Sequence, residues 1–496
     1  MVNSTGDVRE VYLALDQGTH SSRAILIDND SNTLAKFQIP VGITYPDSVS
    51  AEQDADEILQ SVIAGIQLAL CKAKENHWHI RAAGLATQRS SVVAWNRETG
   101  EILSPVISWQ DRRAHEQVET LRQHAHEIRQ RTGLPLTPHY GASKIRWLLD
   151  HRVPVQQCEP EVLGIGPLAS FLVAKLTQHD AKKLATEKLS RYLVDHTNAL
   201  RTQLMNLQEL DWDPRLLELF GVSNVVLPTC VPVIHDYGNL SDTTIPLTVV
   251  SGDQTAAMFG QGAFPDQTAL VNLGTGAFVL TQTKPDESID EALLGGLSLS
   301  DDQSCQYLSE GTVNGCGAAT AWAMEQLGLK DEDRQHFDHW LSEFSSPPIF
   351  VNLVGGVGSP WWIEQGDSYW CDQDGQPISP QEVSPRAAMV AVLESIAFLV
   401  YENLRRMMRH QTITDLRVSG GLSQLDGICH RLANLSQCRV TRSADIEATA
   451  SGVVWLAAGR PETWHDESDD TLFVPSLDDE LANRYSVLVS QLEKIH

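Results

Sequence analysis

The strongest constraint on the fold of this chain is a strand–turn–strand pattern within its first thirty residues. Val11, Leu13 and Leu15 alternate with Tyr12 and Ala14, and the apolar run 24–27 continues after a polar segment. An apolar side chain at every second position indicates a β strand with one buried face. We therefore expect two strands joined by a turn over residues 16–23.

The predicted turn is rich in groups that bind phosphate and metal. A carboxylate at the end of a buried strand, here Asp16, can hold a divalent metal directly or through water. Gly18 lets backbone N–H groups approach an anion closely. Further donors for phosphate oxygens follow at Thr19, Ser21, Ser22 and Arg23. The turn therefore suits nucleotide phosphates with a metal, although an ordinary hairpin with a polar turn has the same pattern.

A second strand–turn–strand pattern occupies residues 268–283, with its turn at Gly274-Thr275-Gly276. Two such hairpins about half a chain apart suggest two related lobes that bind one nucleotide. Asp253 follows the apolar run 245–250, and the pair Gly420-Gly421 follows the strand-like run 416–418. Each glycine turn could be an ordinary sharp turn, but their common position after apolar strands favours a shared ligand site.

Length, charge and cysteine content narrow the class of protein. A chain of 496 residues suits two or three domains. The formal net charge of −27 argues against nucleic-acid and anionic-membrane partners. Eight cysteines without zinc-type spacing predict free thiols in a reducing compartment, hence a cytoplasmic protein.

Over about residues 11–460 the chain resembles the FGGY carbohydrate kinases, and among them it is most similar to the glycerol kinases. The matching strings occur in the family's order, and they include ALDQGTHSSRAILID (14–28), TQRSSVVAWNRETG (87–100), ISWQDRR (107–113), SGDQTAAMFGQGAF (251–264), NLGTGAFVL (272–280) and SGGLSQLDG (419–427). The resemblance implies an α/β fold with two actin-like (ribonuclease H-like) lobes around a central nucleotide cleft. The lobes would span 1–260 and 261–496.

The resemblance also implies an ATP-dependent kinase and assigns roles to residues. Asp253 would be the general base, although its sequence context also fits a helix N-cap, and Asp16 would hold Mg²⁺. The acceptor sugar or polyol would contact Arg89, Ser90, Trp109, His139, Asp253, Gln254 and Phe278. ATP would contact Thr19, Ser21, Arg23, Gly274, Thr275, Gly317, Gly420 and Gly421. A homodimer is expected, with no nucleic-acid or membrane partner.

Two of these positions depart from the glycerol kinase pattern. Ser90 stands where the family has glutamate, and His139 where it has tyrosine. A buried acceptor hydroxyl that loses its partner costs about 1–3 kcal/mol. We therefore expect a ketose, a longer polyol or a modified sugar in place of glycerol.

Three alternatives stay open. His139, Tyr140 or water could replace the lost contacts, so that glycerol remains the acceptor. The protein could be a kinase of low turnover, or a non-catalytic actin-fold nucleotide sensor. A sensor has no need of Asp253 as a base or of the acceptor-site Arg89 and Trp109.

Overall fold

A computed structural model describes residues 9–177, 191–284, 289–443, 447–464 and 470–496. The chain forms two compact units. The first contains residues 1–264, 296–307 and 447–465, and the second contains 265–295, 308–446 and 466–496. The division at residue 260 that the resemblance implies stays a prediction.

The strands, in chain order, are β1 (Glu10–Gln17), β2 (Ser21–Asp28), β3 (Thr33–Pro40), β4 (Glu52–Gln53), β5 (His79–Thr87), β6 (Val92–Asn96), β7 (Val106–Ile107), β8 (Leu163–Pro167), β9 (Leu193–Asp195), β10 (Thr229–Val231), β11 (Leu247–Gly252), β12 (Thr268–Leu273), β13 (Ala277–Thr283), β14 (Leu294–Ser300), β15 (Cys305–Val313), β16 (Ile349–Val351), β17 (Tyr369–Cys371), β18 (Pro377–Ile378), β19 (Asp415–Ser419), β20 (Arg439–Arg442) and β21 (Thr471–Phe473). The helices are α1 (Ala55–Glu75), α2 (His115–Thr120), α3 (Ala125–Thr132), α4 (Gly141–His151), α5 (Val153–Gln156), α6 (Leu168–Leu176), α7 (His196–Leu200), α8 (Pro214–Leu219), α9 (Asp253–Ala257), α10 (Gly317–Gln326), α11 (Phe337–Glu343), α12 (Pro385–Met407), α13 (Asp426–Ser436), α14 (Ala448–Ala457) and α15 (Asp479–Ile495).

The first unit is built on a mixed sheet in the order β11-β5-β1-β2-β3. The hairpin β1–β2 and the edge strand β3 are antiparallel, whereas β5 and β11 run parallel to β1. Helix α1 packs on this sheet through an apolar face that includes Ile58, Val62 and Ile66. A parallel strand places its carboxyl end beside the carboxyl end of β1, where ligands bind in open α/β sheets. A second sheet, β4-β7-β6-β8, carries the loops that precede Trp109.

The first hairpin forms as predicted, but its turn is shorter than expected. The strands extend through Gln17 and resume at Ser21, so only residues 18–20 connect them. The difference arises because Asp16 and Arg23 are cross-strand partners, and a paired carboxylate and guanidinium stabilise the ladder where polar residues alone suggested a loop.

Strands β12, β13, β19 and β20 repeat this arrangement in the second unit. β12 and β13 form an antiparallel hairpin, and β19 and β20 run parallel to β12. The full sheet order is β14-β15-β13-β12-β19-β20-β21, and a small sheet, β16-β17-β18, lies elsewhere in the chain. The sequence repeat between the two hairpins therefore corresponds to a repeat in strand order and direction.

Helix α12 forms the centre of the second unit's core. With 23 residues, the helix is long and apolar enough to cross a membrane. However, 94% of its most apolar 18-residue stretch is buried inside the protein. A helix that is apolar on all sides is typical of a core position. Its two buried acids are paired: Glu394 with Arg431 and Arg484, and Glu402 with Arg405.

Candidate functional site

The carboxyl end of β1 holds a group of charged side chains. Arg23 on β2 forms an ion pair with the Asp16 carboxylate across the hairpin. Its Nη1 atom also donates to Glu447 at 2.7 Å, and Lys36 on β3 pairs with the same glutamate. Glu447 precedes α14, so this candidate phosphate-binding turn is completed by a residue 424 positions further along the chain.

Asp16 is the most perturbed carboxyl group of this cluster. Burial raises the pKa of Asp16 to about 6, because loss of water and the nearby negative charges of Asp253 and Glu447 outweigh the attraction of Arg23. Its exposed fraction is 4%. A buried carboxylate that shares its neighbourhood with a second one binds a cation favourably, since a cation relieves their mutual repulsion.

Asp253 is the first residue of α9, directly after β11. Gly252 occupies the N-cap position, and Asp253 Oδ1 accepts the N–H of Gln254 at 2.7 Å. The side chain of Asp253 is 28% exposed and lies 3.8 Å from Arg89 Nε. The N-cap interpretation is therefore wrong for this residue, since the glycine before it holds that position.

A buried network supports the turn before Asp253. The N–H of Gly252 donates to Thr197 Oγ1 at 2.8 Å. The Thr197 hydroxyl in turn donates to Asp195, which also accepts the N–H groups of Thr197 and Asn198 at 3.0 Å each. Asp195 is completely buried, and burial raises its pKa. The N-cap of α7 thus positions the start of α9.

Three glutamine side chains and Trp109 form hydrogen bonds around the turn of the first hairpin. Gln88 donates to Gln17 Oε1 at 3.1 Å and to Gln53 Oε1 at 2.9 Å, and Gln53 donates to the carbonyl of Thr19 at 2.8 Å. The Trp109 indole N–H donates to Thr19 Oγ1 at 3.0 Å. The candidate phosphate residue Thr19 and the candidate acceptor residue Trp109 are therefore in direct contact.

Lys144 on α4 joins three loops at the candidate acceptor site. Its ammonium group donates to the carbonyls of Ser90 at 3.0 Å, Ser108 at 2.8 Å and His139 at 2.7 Å. The side chain is completely buried, and burial lowers its pKa. Three carbonyl acceptors nevertheless match the three N–H bonds that only the ammonium form has, so we describe Lys144 as charged.

The two departures from the family pattern lie next to this lysine. Ser90 is 4% exposed, adopts a left-handed backbone conformation with φ of 63°, and its Oγ has no hydrogen-bond partner among the described residues. The rings of His139 and Trp109 meet edge to face at 5.9 Å. Burial, reinforced by nearby arginines and Lys144, holds the pKa of His139 well below its usual range, so its ring is neutral.

The candidate nucleotide residues of the second unit meet at the carboxyl ends of β12 and β19. The first two N–H groups of α10, from Gly317 and Ala318, donate to the carbonyls of Gly274 at 2.9 Å and Thr275 at 3.0 Å. A Cβ on Gly317 would lie 2.8 Å from the Gly274 oxygen, so this close contact requires glycine. Gly420, with φ of 89°, lies against the end of β12, where a Cβ would be 2.6 Å from the Leu273 oxygen.

The structure therefore brings the predicted residues together in two groups. In the first unit these are Asp16, Thr19, Ser21, Arg23, Arg89, Ser90, Trp109, His139, Asp253 and Gln254. In the second unit they are Gly274, Thr275, Gly317, Gly420 and Gly421, with Phe278 next along β13. Residues that sequence reasoning missed are Gln53, Gln88, Arg112, Lys144, Asp195 and Glu447. Lys144 alone had a readable signal, since it lies on the apolar face of α4 with Ile145 and Leu148.

No group of three or more His, Cys, Asp or Glu side chains able to hold a metal ion occurs in the described part of the chain. Mg²⁺ needs fewer protein ligands than that, because it usually keeps several waters and binds one or two carboxylates plus phosphate. The buried Asp16 carboxylate near Asp253 fits this requirement.

Comparison with known proteins gives consistent results over nearly the whole chain. Residues 11–260 match the model of the N-terminal domain of the FGGY family of carbohydrate kinases, and residues 269–459 match the C-terminal domain. A glycerol kinase of Acinetobacter baylyi is 34% identical over 460 residues, which cover 90% of this chain and 89% of that one. Plasmodium falciparum glycerol kinase with ADP superposes with a TM-score of 0.85 at 22% identity, covering 98% of each chain. Gluconate kinase from Lactobacillus acidophilus gives 0.81 at 20% identity, covering 98% of this chain and 97% of its own. The predicted α/β fold with two actin-like domains is confirmed.

Proposed function

Because the chain belongs to the FGGY family of carbohydrate kinases, we propose that this ATP-dependent kinase uses Asp253 as the general base toward a hydroxyl group of a small sugar or polyol. The acceptor oxygen forms a bond to the γ-phosphorus, and the bond from that phosphorus to the β–γ bridging oxygen breaks. ADP leaves, and the hydroxyl proton passes to the Asp253 carboxylate. Phosphoryl transfer needs chiefly positioning, neutralisation of charge and such a base.

The observation that carries this proposal is the environment of Asp253. Its side chain is partly exposed, so that it can meet a substrate, while the backbone before it is anchored through Thr197 to the buried Asp195. Arg89 lies 3.8 Å away and stabilises the ionised carboxylate that a base must present. A fixed backbone with an accessible carboxylate meets the geometric requirement for general-base catalysis.

We propose that the acceptor binds among the side chains around Lys144. Trp109 supplies an apolar face, and its indole N–H is engaged by Thr19. Arg89 and Gln254 donate to acceptor hydroxyls, and the neutral His139 ring can both donate and accept. Phe278 of the second lobe is the further acceptor contact that the family pattern suggests.

We propose that the phosphates of the nucleotide bind at the turns of the hairpins β1–β2 and β12–β13. In lobe 261–496, Gly274 and Thr275 face the phosphates, Gly420 and Gly421 let the adenosine approach the backbone, and Gly317 lies on the purine side. In lobe 1–260 the phosphate contacts are Thr19, Ser21 and Arg23. The bonds from α10 to the second turn support this role, because they fix that turn in one conformation.

We propose that Asp16 holds Mg²⁺ through water. The metal supplies neutralisation of the phosphate charge when it is bound. Arg23 keeps the Asp16 carboxylate oriented and adds positive charge on the same side of the hairpin. Mg²⁺ bound there would offset locally the net charge of −27, which would otherwise repel ATP.

The acceptor is proposed to differ from glycerol, because Ser90 lacks the two carboxylate oxygens that the family pattern places there. Glycerol itself is the second candidate, favoured by the 34% identity to a glycerol kinase. The decisive measurement is ADP release with ATP and Mg²⁺ on a panel of three- to six-carbon polyols, ketoses and aldoses, with Asp253→Asn as the control. Turnover of Asp253→Asn within about threefold of the wild-type rate would refute the role of Asp253 as base, and a panel without any turnover would favour a nucleotide sensor.

A cytoplasmic location and a homodimer are further proposals. All eight cysteines are free, and four of them are buried, which suits a reducing compartment. Sedimentation of the full chain with and without ATP would determine the oligomeric state.

A further inference from the structure

Two cations at the candidate acceptor site, Lys144 and Arg112, donate hydrogen bonds to groups that carry no net charge. All three hydrogen bonds of the Lys144 ammonium go to backbone carbonyls, which carry no net charge. Arg112 Nη1 donates to two more carbonyls, those of Trp109 at 2.9 Å and Asp111 at 3.0 Å. Both cations thus hold the backbone of acceptor-site loops while their charge persists.

Asp111, the carboxylate whose charge acts on both cations, is already paired with another side chain. Asp111 acts on both Lys144 and Arg112, but its Oδ2 atom is 2.7 Å from Arg113 and accepts the N–H of Ala51 at 2.7 Å. Arg113 pairs with Asp111 and also with Glu52 at 2.7 Å, so the three cations Lys144, Arg112 and Arg113 face two carboxylates, and a net positive charge remains.

Several cations act on the His139 ring. Burial lowers the pKa of His139 first, and four positively charged side chains lower it further. They are Arg112, Lys144, Arg201 and Arg89. A positive potential at a ring that faces Trp109 favours a negatively charged ligand there.

Ser90 supplies the second, independent observation. Its hydroxyl oxygen is buried and has no hydrogen-bond partner in the described ranges, which is uncommon for a buried polar group. Its carbonyl is held by Lys144, and its left-handed φ of 63° is strained for a residue other than glycine, so the surrounding structure maintains this position. A hydroxyl beside cations can donate to an anionic oxygen.

We propose that the acceptor is an acidic polyol, in which an anionic group is recognised by the Ser90 hydroxyl and by the positive potential of Lys144 and Arg112. The inference rests on the proposed kinase function and specifies its substrate class. A glutamate in place of Ser90 would repel such a ligand. An anionic acceptor therefore accounts both for the serine at this position and for the positive charge around it. A carboxylate and a phosphate monoester share this chemistry, and the experiment separates them.

The test compares acceptors in matched pairs with the full-length enzyme, ATP and Mg²⁺. Each neutral polyol of three to six carbons is paired with the aldonate of equal length, and a third arm uses the corresponding polyol monophosphates. We expect kcat/KM for one anionic form to exceed that of its neutral partner by about tenfold or more. The arm in which this occurs identifies the carboxylate or the phosphate.

Ionic strength and two substitutions provide independent readouts. Raising salt from about 20 to about 200 mM should raise KM for the anionic acceptor and leave KM for a neutral polyol nearly unchanged, since screening acts on charge. Ser90→Glu should reverse the preference toward the neutral partner, whereas Ser90→Ala, which adds no charge, should weaken the anionic acceptor without reversing it.

Turnover without the expected preference for either the aldonate or the monophosphate at any chain length would overturn the inference and leave the kinase proposal intact. An absence of ADP release with every acceptor in the three arms would overturn the proposed function, and the inference with it. If Ser90→Glu fails to fold, the pairwise comparison and the salt dependence of the wild-type enzyme still decide the question.

Discussion

Replacing Lys144 by methionine would remove the cation that bonds the carbonyls of three loops. Methionine has a similar length and keeps the buried apolar contacts of α4, but it has no N–H donor. The carbonyl of Ser108 would still accept a hydrogen bond, because the N–H of Asp111 donates to it at 3.1 Å. The carbonyls of Ser90 and His139 would lose the bonds that Lys144 makes to them.

The size of the effect follows from those two carbonyls. Each buried acceptor left without a partner costs about 1–3 kcal/mol, so the pair costs roughly 4 kcal/mol. Removal of a buried charge returns part of this, because an ammonium group is expensive to keep away from water. We expect Lys144→Met to lower the free energy of unfolding by about 2–4 kcal/mol.

The functional consequence should be confined to the acceptor. Displacement of the loops that carry Ser90, Trp109 and His139 is expected to raise KM for the acceptor by about a hundredfold, whereas KM for ATP should change by less than about threefold. Urea unfolding measures the first quantity and steady-state kinetics with each substrate varied measures the second. A purely structural role would reduce the amount of folded enzyme and lower the apparent kcat, with both KM values unchanged.

Lys175→Met is the matched control. Lys175 is partly buried, and it donates to one carbonyl, that of Gly100, at 2.5 Å. Its loss should cost about 1 kcal/mol of stability without an effect on either KM. The reasoning would be refuted if Lys144→Met kept the wild-type KM for the acceptor, or if Lys175→Met raised that KM equally.

Three further substitutions test the other parts of the site. Asp253→Asn should lower kcat by about 10²–10⁴-fold while binding of the acceptor, measured by calorimetry, is retained; turnover within about threefold of wild type would exclude it as the base. Asp16→Asn should abolish Mg²⁺-dependent turnover and yet stabilise the fold at pH 7.5 by roughly 2 kcal/mol. The pKa of Asp16 is raised to about 6, so the folded chain binds the proton more tightly than the unfolded chain and loses stability as pH rises from about 4 through 6. The gain in stability should therefore vanish below about pH 4, and an equal gain at pH 7.5 and below pH 4 would contradict this prediction. Gly317→Ala should raise KM for ATP about tenfold and leave that for the acceptor unchanged, because a Cβ would lie 2.8 Å from the Gly274 oxygen; unchanged ATP kinetics would show that the second turn does not contact the nucleotide.

The regular elements near the site were readable from the sequence, because a period of two in apolar residues marks a strand wherever it lies. The hairpins β1–β2 and β12–β13 were predicted in this way. The length of the first turn was not, since the pairing of Asp16 with Arg23 depends on strand register and not on polarity.

The contacts that organise the site could not be predicted, because they join residues that are distant in sequence. Lys144 meets carbonyls 54, 36 and 5 positions away, and nothing in the local pattern indicates which loops would reach it. The left-handed conformation of Ser90 likewise has no marker, since glycine or asparagine would be the usual residue there.

The ion pair between Arg23 and Glu447 has a consequence for the order in which the chain can acquire its structure during synthesis. Helix α14 packs through Val453 against Ala86 on β5 and Ala256 on α9, so the first unit obtains one layer from a segment made almost last. When residues 1–264 have emerged from the ribosome, neither α14 nor Glu447 has yet been synthesised. The second unit's residues 308–443 emerge in between and can pack among themselves. The amino-terminal portion must therefore wait, with part of its sheet uncovered, until about nine-tenths of the chain has been translated, which makes this interval the period of greatest exposure to chaperones and to aggregation.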